Sequence, residues 1–280
     1  MSGVSFAVPS FNEAEALERM VRSSLPFASL IDEWVIVDHR SEDNTQEVIE
    51  GLRALLREHK IGLRTVYESR DFSKDFMMAD LRNLAADTCS HDVVVQVDAD
   101  FVFGPAFPEL LARGVMAVAS GEYDSAGYAV PVIWDHLRTS KTGRIKDHGR
   151  VWVHWSKPSI FRRDLVHRVQ TAGGGKWAAL VRRDGEPRRY LRMTARFHPL
   201  RHSVVSVNIK PPERLELRLT MNSFQQDCVQ EGIEDTWLES HKSGATRQEK
   251  GKYKYRNVSL RGWKTYAPRL RLGYASELVA

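Results

Sequence analysis

The sequence predicts an α/β domain in which a mostly parallel central sheet is flanked by helices, with a C-terminal helical and basic extension. Three observations carry that prediction. Short apolar runs alternate with helix-periodic stretches through the first hundred residues. The connections between the runs are long enough to hold the crossover helices that parallel strands require. Each run also ends in a polar cluster, as expected where a parallel sheet delivers its loops to one edge.

The elements follow in order. Val4 to Pro9 is a first apolar strand. In the helix after it, Asn12 is placed to cap and Glu15 to complete a capping box, with Leu17, Met20, Val21 and Leu25 forming one face. Trp34 to Asp38 reads as a second strand, and Val48, Ile49, Leu52, Leu55 and Leu56 mark a second helix. Leu63 to Glu68, a helix over FMMADLRNLAADT, and the run Val93 to Asp98 complete the alternation. Beyond it, PELLARGVMAVAS is a further helix, and GYAVPVIWDHL and RVWVHWSKPSIFRRDL are two strands around a polar turn. PPERLELRLTMNSFQQDCVQ begins with prolines suited to a helix start and places Leu217, Met221, Phe224 and Cys228 on one stripe.

At 280 residues the chain is long enough to bury a full core. No apolar run reaches membrane-spanning length, and the first residues lack a basic-then-apolar leader pattern, so a cytoplasmic protein is expected. Its two cysteines, Cys89 and Cys228, supply neither a disulfide framework nor a metal-type pair. The net charge of +5 is unevenly placed. His241 to Arg271 holds ten Lys or Arg against the single acid Glu249, which leaves the rest of the chain mildly acidic.

The polar clusters are Ser10-Phe11-Asn12-Glu13, Asp38-His39-Arg40-Ser41, Glu68-Ser69-Arg70-Asp71 and Asp98-Ala99-Asp100. Turn chemistry accounts for any one of them, whereas four at successive strand ends point to one site. Two carboxylates ending a buried strand also need compensation.

The stretches VSFAVPSFNEAEAL, DEWVIVDHRSEDNT and VVVQVDAD, at these spacings, resemble the nucleotide-binding half of a family 2 glycosyltransferase of the GT-A fold, over roughly residues 1 to 105. The resemblance implies a single GT-A-like domain with a donor-binding half over 1–105, an acceptor-binding half over 106–212, and a helix and basic tail over 213–280. It implies transfer of a sugar from a nucleoside diphosphate sugar, of UDP or GDP type, to an acceptor hydroxyl or amine with inversion. The acceptor class, small molecule, saccharide or lipid-linked sugar, stays open, as does the oligomeric state. Asp100 would ligate Mg2+ or Mn2+, in keeping with the preference of hard dications for carboxylate and phosphate oxygens. Asp98 would face the ribose or metal-bound water, and Pro9, Phe11 and Glu13 would wall the base and ribose.

Asp38 matches the first acid of the family's usual Val-Asp-Asp-Gly-Ser, but His39 stands at the second acid and Arg40 at the glycine. An imidazole offers a different hydrogen-bonding edge to a base than a carboxylate does. If His39 reads the base, nucleotide affinity changes around the reference histidine pKa of roughly 6.5. Lys74 and Arg82 are the basic candidates for the base or phosphates.

For the acceptor half, Trp134, Trp152 and Trp155 are candidate sugar-stacking aromatics, with core packing the plain alternative. An inverting transfer needs a carboxylate base, and Asp184, Glu186 and Asp135 compete for that role. His202 or His198 is a candidate third metal ligand, and Gly173 to Lys176 a loop over the donor. The aromatic-bearing basic tail supports a different reading, a non-catalytic GT-A-like protein that binds nucleic acid or anionic membrane. The acidic body and the lack of any nucleic-acid module weigh against nucleic acid, leaving a peripheral membrane contact as the open point.

Overall fold

The computed structural model describes residues 3–70, 76, 78–134, 138–139, 145–146, 151–170, 178–194 and 203–208. At 129, 131–134, 138–139, 145–146, 151–158, 170, 178, 205 and 207–208 it describes the backbone alone. The expected helix over 211–230 and the basic tail lie outside the described residues.

The alternation read in the sequence is present in the fold. Strands β1 (Val4–Ser10), β2 (Glu33–His39), β3 (Gly62–Glu68) and β4 (Val93–Gln96) are separated by helices α1 (Ala14–Ser24), α2 (Thr45–Glu58) and α3 (Met78–Asp87). A 3-10 turn over Leu25–Leu30 continues α1. They assemble in the order β3-β2-β1-β4, every pair parallel. Every residue of β2 is buried, as expected of a strand covered on both faces.

Beyond β4 the sheet becomes mixed. After β5 (Phe101–Phe103) and α4 (Phe107–Ala119) come β6 (Ser125–Trp134), β7 (Arg138–Thr139), β8 (Ile145–Lys146) and β9 (Val151–Arg162). They are followed by β10 (Val166–Gln170), β11 (Ala178–Arg182), β12 (Tyr190–Met193) and β13 (Val204–Asn208). Strand β9 runs antiparallel between β4 and β6, and β13 joins β6 in parallel and β5 antiparallel. Strand β12 pairs with the start of β6, while β10 with β11 and β7 with β8 form separate two-stranded ladders.

Two apolar layers sandwich the sheet. One packs α1, α2 and α4 through Leu17, Met20, Ile49, Leu52, Leu56, Phe107 and Leu111. The other packs α3 and the β10–β11 hairpin through Phe76, Leu81, Ala85, Phe161, Val166 and Leu180. Helix α4 comes close enough to the sheet that a Cβ at Gly114 would lie 2.5 Å from Ile160 Cδ1, so that a larger residue there requires the Ile160 and Met193 side chains to move. Cys89 is buried, and burial pushes its thiol up to about 12.

Candidate active site

Register places the first three polar clusters, and the end of β4, on one edge. Ser10 is level with Asp38, Asp38 with Tyr67, and His39 with Glu68. The Val97 amide donates to Ala7 O at 3.0 Å, which brings the end of β4 alongside β1.

The loops after β1 and β2 are tied together by bonds that replace the expected capping box. Asn12 does not cap α1. It adopts a left-handed φ of 50°, and its side-chain oxygen accepts the amides of Glu42 at 2.7 Å and Asp43 at 3.3 Å. The amino end of α1 is instead satisfied from the other loop. Thr45 Oγ1 accepts the Glu13 amide at 3.2 Å, and Asp43 Oδ2 the Ala14 amide at 3.4 Å. Ser41 Oγ accepts the Asn12 amide at 2.8 Å and donates to Asp38 Oδ1. Arg40, at the position where the family pattern carries glycine, has φ 56°.

Asp38 is buried, and its second oxygen accepts from Gln46 Nε2 at 3.4 Å. Burial raises its carboxyl above the ordinary aspartate range, and the hydroxyl and amide donors only partly oppose that shift. His39 is buried rather than displayed to solvent. Its Nε2–H donates to the Arg70 main-chain carbonyl at 2.7 Å, and its ring lies 6.2 Å from that of Phe11 and 6.0 Å from that of Phe76. Burial lowers its pKa, so any titration of this group lies below the reference histidine value. Arg70 stacks on Phe76 at 4.1 Å and is held by Glu68, whose carboxyl those bonds bring down to about 2.

The carboxylates after β4 are compensated by the chain itself. Arg82 on α3 donates to Asp98 Oδ1. Asp100 is buried, and its Oδ2 accepts from Ser206 Oγ on β13 at 2.9 Å. Arg19, buried on α1, lies within electrostatic reach of Asp100. Arg82, Ser206 and Arg19 thus provide part of the compensation that these carboxylates need. Pro9, Phe11 and Glu13 are half-buried at the same edge.

No group of three or more His, Cys, Asp or Glu among the described residues forms a ready metal cage. The oxygen donors at this edge still suit Mg2+ or Mn2+. Such ions are commonly held by one or two carboxylates and completed by substrate phosphates rather than by an all-protein cage.

The structure does not bring Asp184 and Glu186 to this edge. Asp184 follows β11 and is held by Arg182, which also binds Asp124 at 3.1 Å. Asp124 precedes Ser125, and Ser125 is level with Phe161 and hence with Val94, at the start of β4. The Asp184–Glu186 turn therefore belongs to the amino-end cluster. Asp184 is further held well below the usual carboxylate range by Arg182, which makes it a poor proton acceptor.

Asp135, Lys74, His198, His202 and Gly173 to Lys176 lie outside the described residues. Trp134, Trp152 and Trp155 belong to β6 and β9 by backbone, and their side chains also lie outside the description. Ser206, Gln96 and Arg168 were missed from sequence. Gln96 alone left a signal, as the polar interruption of an otherwise apolar run.

Residues 5–186 match the family described as Glycosyl transferase family 2. Among solved structures, S. aureus TarS 1–349 in complex with UDP-GlcNAc is similar at 13% identity, over 99% of this chain and 84% of that one, with a TM-score of 0.49. Glucosyl-3-phosphoglycerate synthase from Mycobacterium tuberculosis, in complex with Mn2+, uridine-diphosphate and phosphoglyceric acid, is similar at 22% identity. That match spans 50% of this chain and 46% of the other, with a TM-score of 0.31. Comparison with curated protein sequences gives no match.

Proposed function

This chain belongs to glycosyl transferase family 2, and on that premise we propose that it moves a sugar from a nucleoside diphosphate sugar to an acceptor hydroxyl or amine, with inversion and with a divalent cation at Asp100. The observation that carries the reading is the convergence on one sheet edge of the buried Asp38, the Arg82–Asp98 pair and the Ser206-bonded Asp100. A dication held at Asp100, with Asp98 facing the ribose or metal-bound water, would supply positive charge to the diphosphate leaving group.

The chain's own residues divide the remaining work. Phe11 and Pro9 wall the nucleoside, and Asp38 accepts from the ribose hydroxyls. Arg82, already oriented by Asp98, faces the phosphates. Lys74 is the second basic candidate for that role. In the reaction the acceptor oxygen or nitrogen bonds to the anomeric carbon as the bond to the diphosphate oxygen breaks, and the acceptor's proton passes to a carboxylate. Asp135 takes that role here because β6, which ends one residue before it, runs parallel to β13 at the level of Ser206. His202 is kept as a candidate further ligand, being in the segment that leads into β13.

Calorimetric titration with UDP and GDP, each with and without Mn2+, tests the reading. Binding that requires the metal and is lost in Asp100→Ala is the expected result. Binding of no nucleoside diphosphate, or binding indifferent to both changes, overturns it.

A further inference from the structure

Between the sheet and α3, the side chains of Asn83, Arg168 and Gln96 form a polar chain that leads to Arg82. Asn83 clamps the backbone of Arg168 at two points, its Oδ1 accepting the Arg168 amide at 2.8 Å and its Nδ2 donating to the Arg168 carbonyl at 2.9 Å. Arg168 Nε donates to Gln96 Oε1, and its guanidinium lies 5.9 Å from the Phe161 ring. Gln96, buried in β4, donates from Nε2 to the main-chain carbonyl of Arg82 at 2.7 Å. Arg82 in turn donates to Asp98.

Asn83 alone would suffice to join α3 to β10. The Gln96 link does something different, because it ties the backbone of Arg82 to the strand that leads into Asp98. A buried amide used at both ends admits one geometry, since a misplaced partner leaves a polar atom unsatisfied at a cost. Burial and the neighbouring Arg82 charge hold the Arg168 guanidinium below the ordinary arginine value, with Asp98 acting in opposition. The two arginines and Asp98 thus form one electrostatic group.

We propose that Arg168, acting through Gln96, is a positioning residue that sets the Arg82–Asp98 pair and with it the affinity of this edge for the diphosphate of the donor. The donor part of the proposal rests on the function proposed above, whereas the positioning part does not. The loss expected on breaking the link is of geometry rather than of net charge. Arg168→Lys, which keeps the charge but lacks the planar guanidinium donor, should therefore behave more like Gln96→Leu than like the unaltered protein.

The test combines a spectroscopic and a binding measurement on the full chain. In nitrogen–proton spectra the Arg82 guanidinium, assigned through Arg82→Lys, should show a slowly exchanging signal that moves to solvent-like exchange in Gln96→Leu and Arg168→Lys. UDP affinity in the presence of Mn2+ should fall about tenfold in both, the scale of one misplaced charge-assisted hydrogen bond. An unchanged Arg82 signal overturns the proposal whether or not nucleotide binds. A moved signal with unchanged UDP affinity overturns it as well, because the clamp would then be structural only. Failure of the unaltered protein to bind any nucleoside diphosphate instead removes the donor reading, and the spectra alone then decide the positioning claim. Should Gln96→Leu fail to fold, Arg168→Lys carries both measurements.

Discussion

Two aspartates buried to the same depth sit at opposite ends of this sheet in opposite electrostatic settings. Asp124, at the amino end, is fully buried and saturated. Both its oxygens accept from Arg182 at 3.1 Å, while Arg189 adds its guanidinium at 2.8 Å and its amide at 2.9 Å. Asp38, at the carboxyl end, is 1% exposed, and its side-chain donors are the neutral Ser41 and Gln46. Burial works against both carboxylates. At Asp124 the two arginines outweigh it and the pKa falls, whereas at Asp38 burial wins and the pKa rises. The first arrangement holds β6, β11 and β12 together, and the second keeps a carboxylate under-compensated where a ligand would complete it.

The largest effect expected from this contrast is at the saturated end. Asp124→Ala removes the carboxylate shared by Arg182 and Arg189, leaving Arg182 with Asp184 and Arg189 facing solvent, and should cost about 2–3 kcal/mol of stability, the scale of lost charged hydrogen bonds, read by urea unfolding. The lowered pKa fixes the pH direction. Stability contributed by Asp124 is present above the ordinary aspartate value of about 3.9 and is lost as pH falls toward its depressed folded value. A loss under about 1 kcal/mol in Asp124→Ala would erase the distinction between the two ends.

Asp38→Asn should behave in the reverse way. The ionised carboxylate costs stability at neutral pH, because its folded pKa is raised, and that cost is relieved as pH falls through the folded value toward the ordinary aspartate value of about 3.9. Removing the charge should therefore leave the urea midpoint unchanged or slightly higher. Nucleotide affinity should drop about 10- to 100-fold, the price of one lost charged hydrogen-bond acceptor. A strongly destabilised Asp38→Asn with intact affinity would put Asp38 in the same class as Asp124.

What the sequence made legible follows from how far apart in the chain the interacting groups lie. The strands β1 to β4 and helices α1 to α3 announce themselves through local periodicity, and so do the clusters at their ends. Strands β5, β12 and β13 are three to five residues long and take their partners from distant segments, so no local pattern marks them. The same distance hides half of the site. Ser206 lies 106 residues from Asp100, and Arg168 lies 72 from Gln96. Asn12 shows how a correct local rule loses to a nonlocal one. Its side chain suits a helix cap, but Glu42 and Asp43 offer it amides some thirty residues away, and Thr45 and Asp43 take over the cap. Nor does spacing along the chain say which end of a sheet a turn occupies, so the sequence alone leaves Asp184, Glu186 and Asp135 in competition.

Backbone strain sharpens the contrast between the two edges by a smaller amount. Of the non-glycine residues with left-handed φ among those described, Asn12 and Arg40 are both in the loops of the candidate site. Arg40→Gly relieves the Cβ clash at φ 56°, and it should raise stability by about 1 kcal/mol in urea unfolding. It should also loosen the loop that carries Ser41, weakening nucleotide binding while the fold gains. An Arg40→Gly protein both more stable and equally avid would mean that the strain is not tied to the site.

The smallest expected effect is at His39, where the two sides of the comparison meet in one residue: a buried polar group with a firm partner, beside the under-compensated Asp38. The Nε2–H bond to the Arg70 carbonyl uses a hydrogen that the neutral ring carries, so the bond itself does not require protonation. Burial depresses the folded pKa. Between the unfolded value of roughly 6.5 and that lower folded value, the unfolded chain binds a proton that the native ring refuses, so stability falls as pH drops through this window. His39→Phe, which fits an aromatic ring between Phe11 and Phe76, should cost about 1 kcal/mol through the lost bond to Arg70, and it should flatten the pH dependence in that window. If nucleotide affinity is measured on the same variants, a reading role for His39 predicts a change centred below the reference histidine value, and a supporting role for the Arg70 segment predicts a uniform loss at every pH. A stability profile that steepens in His39→Phe, or that changes only above pH 7, would mean that another group titrates at this edge and that His39 is a packing residue there.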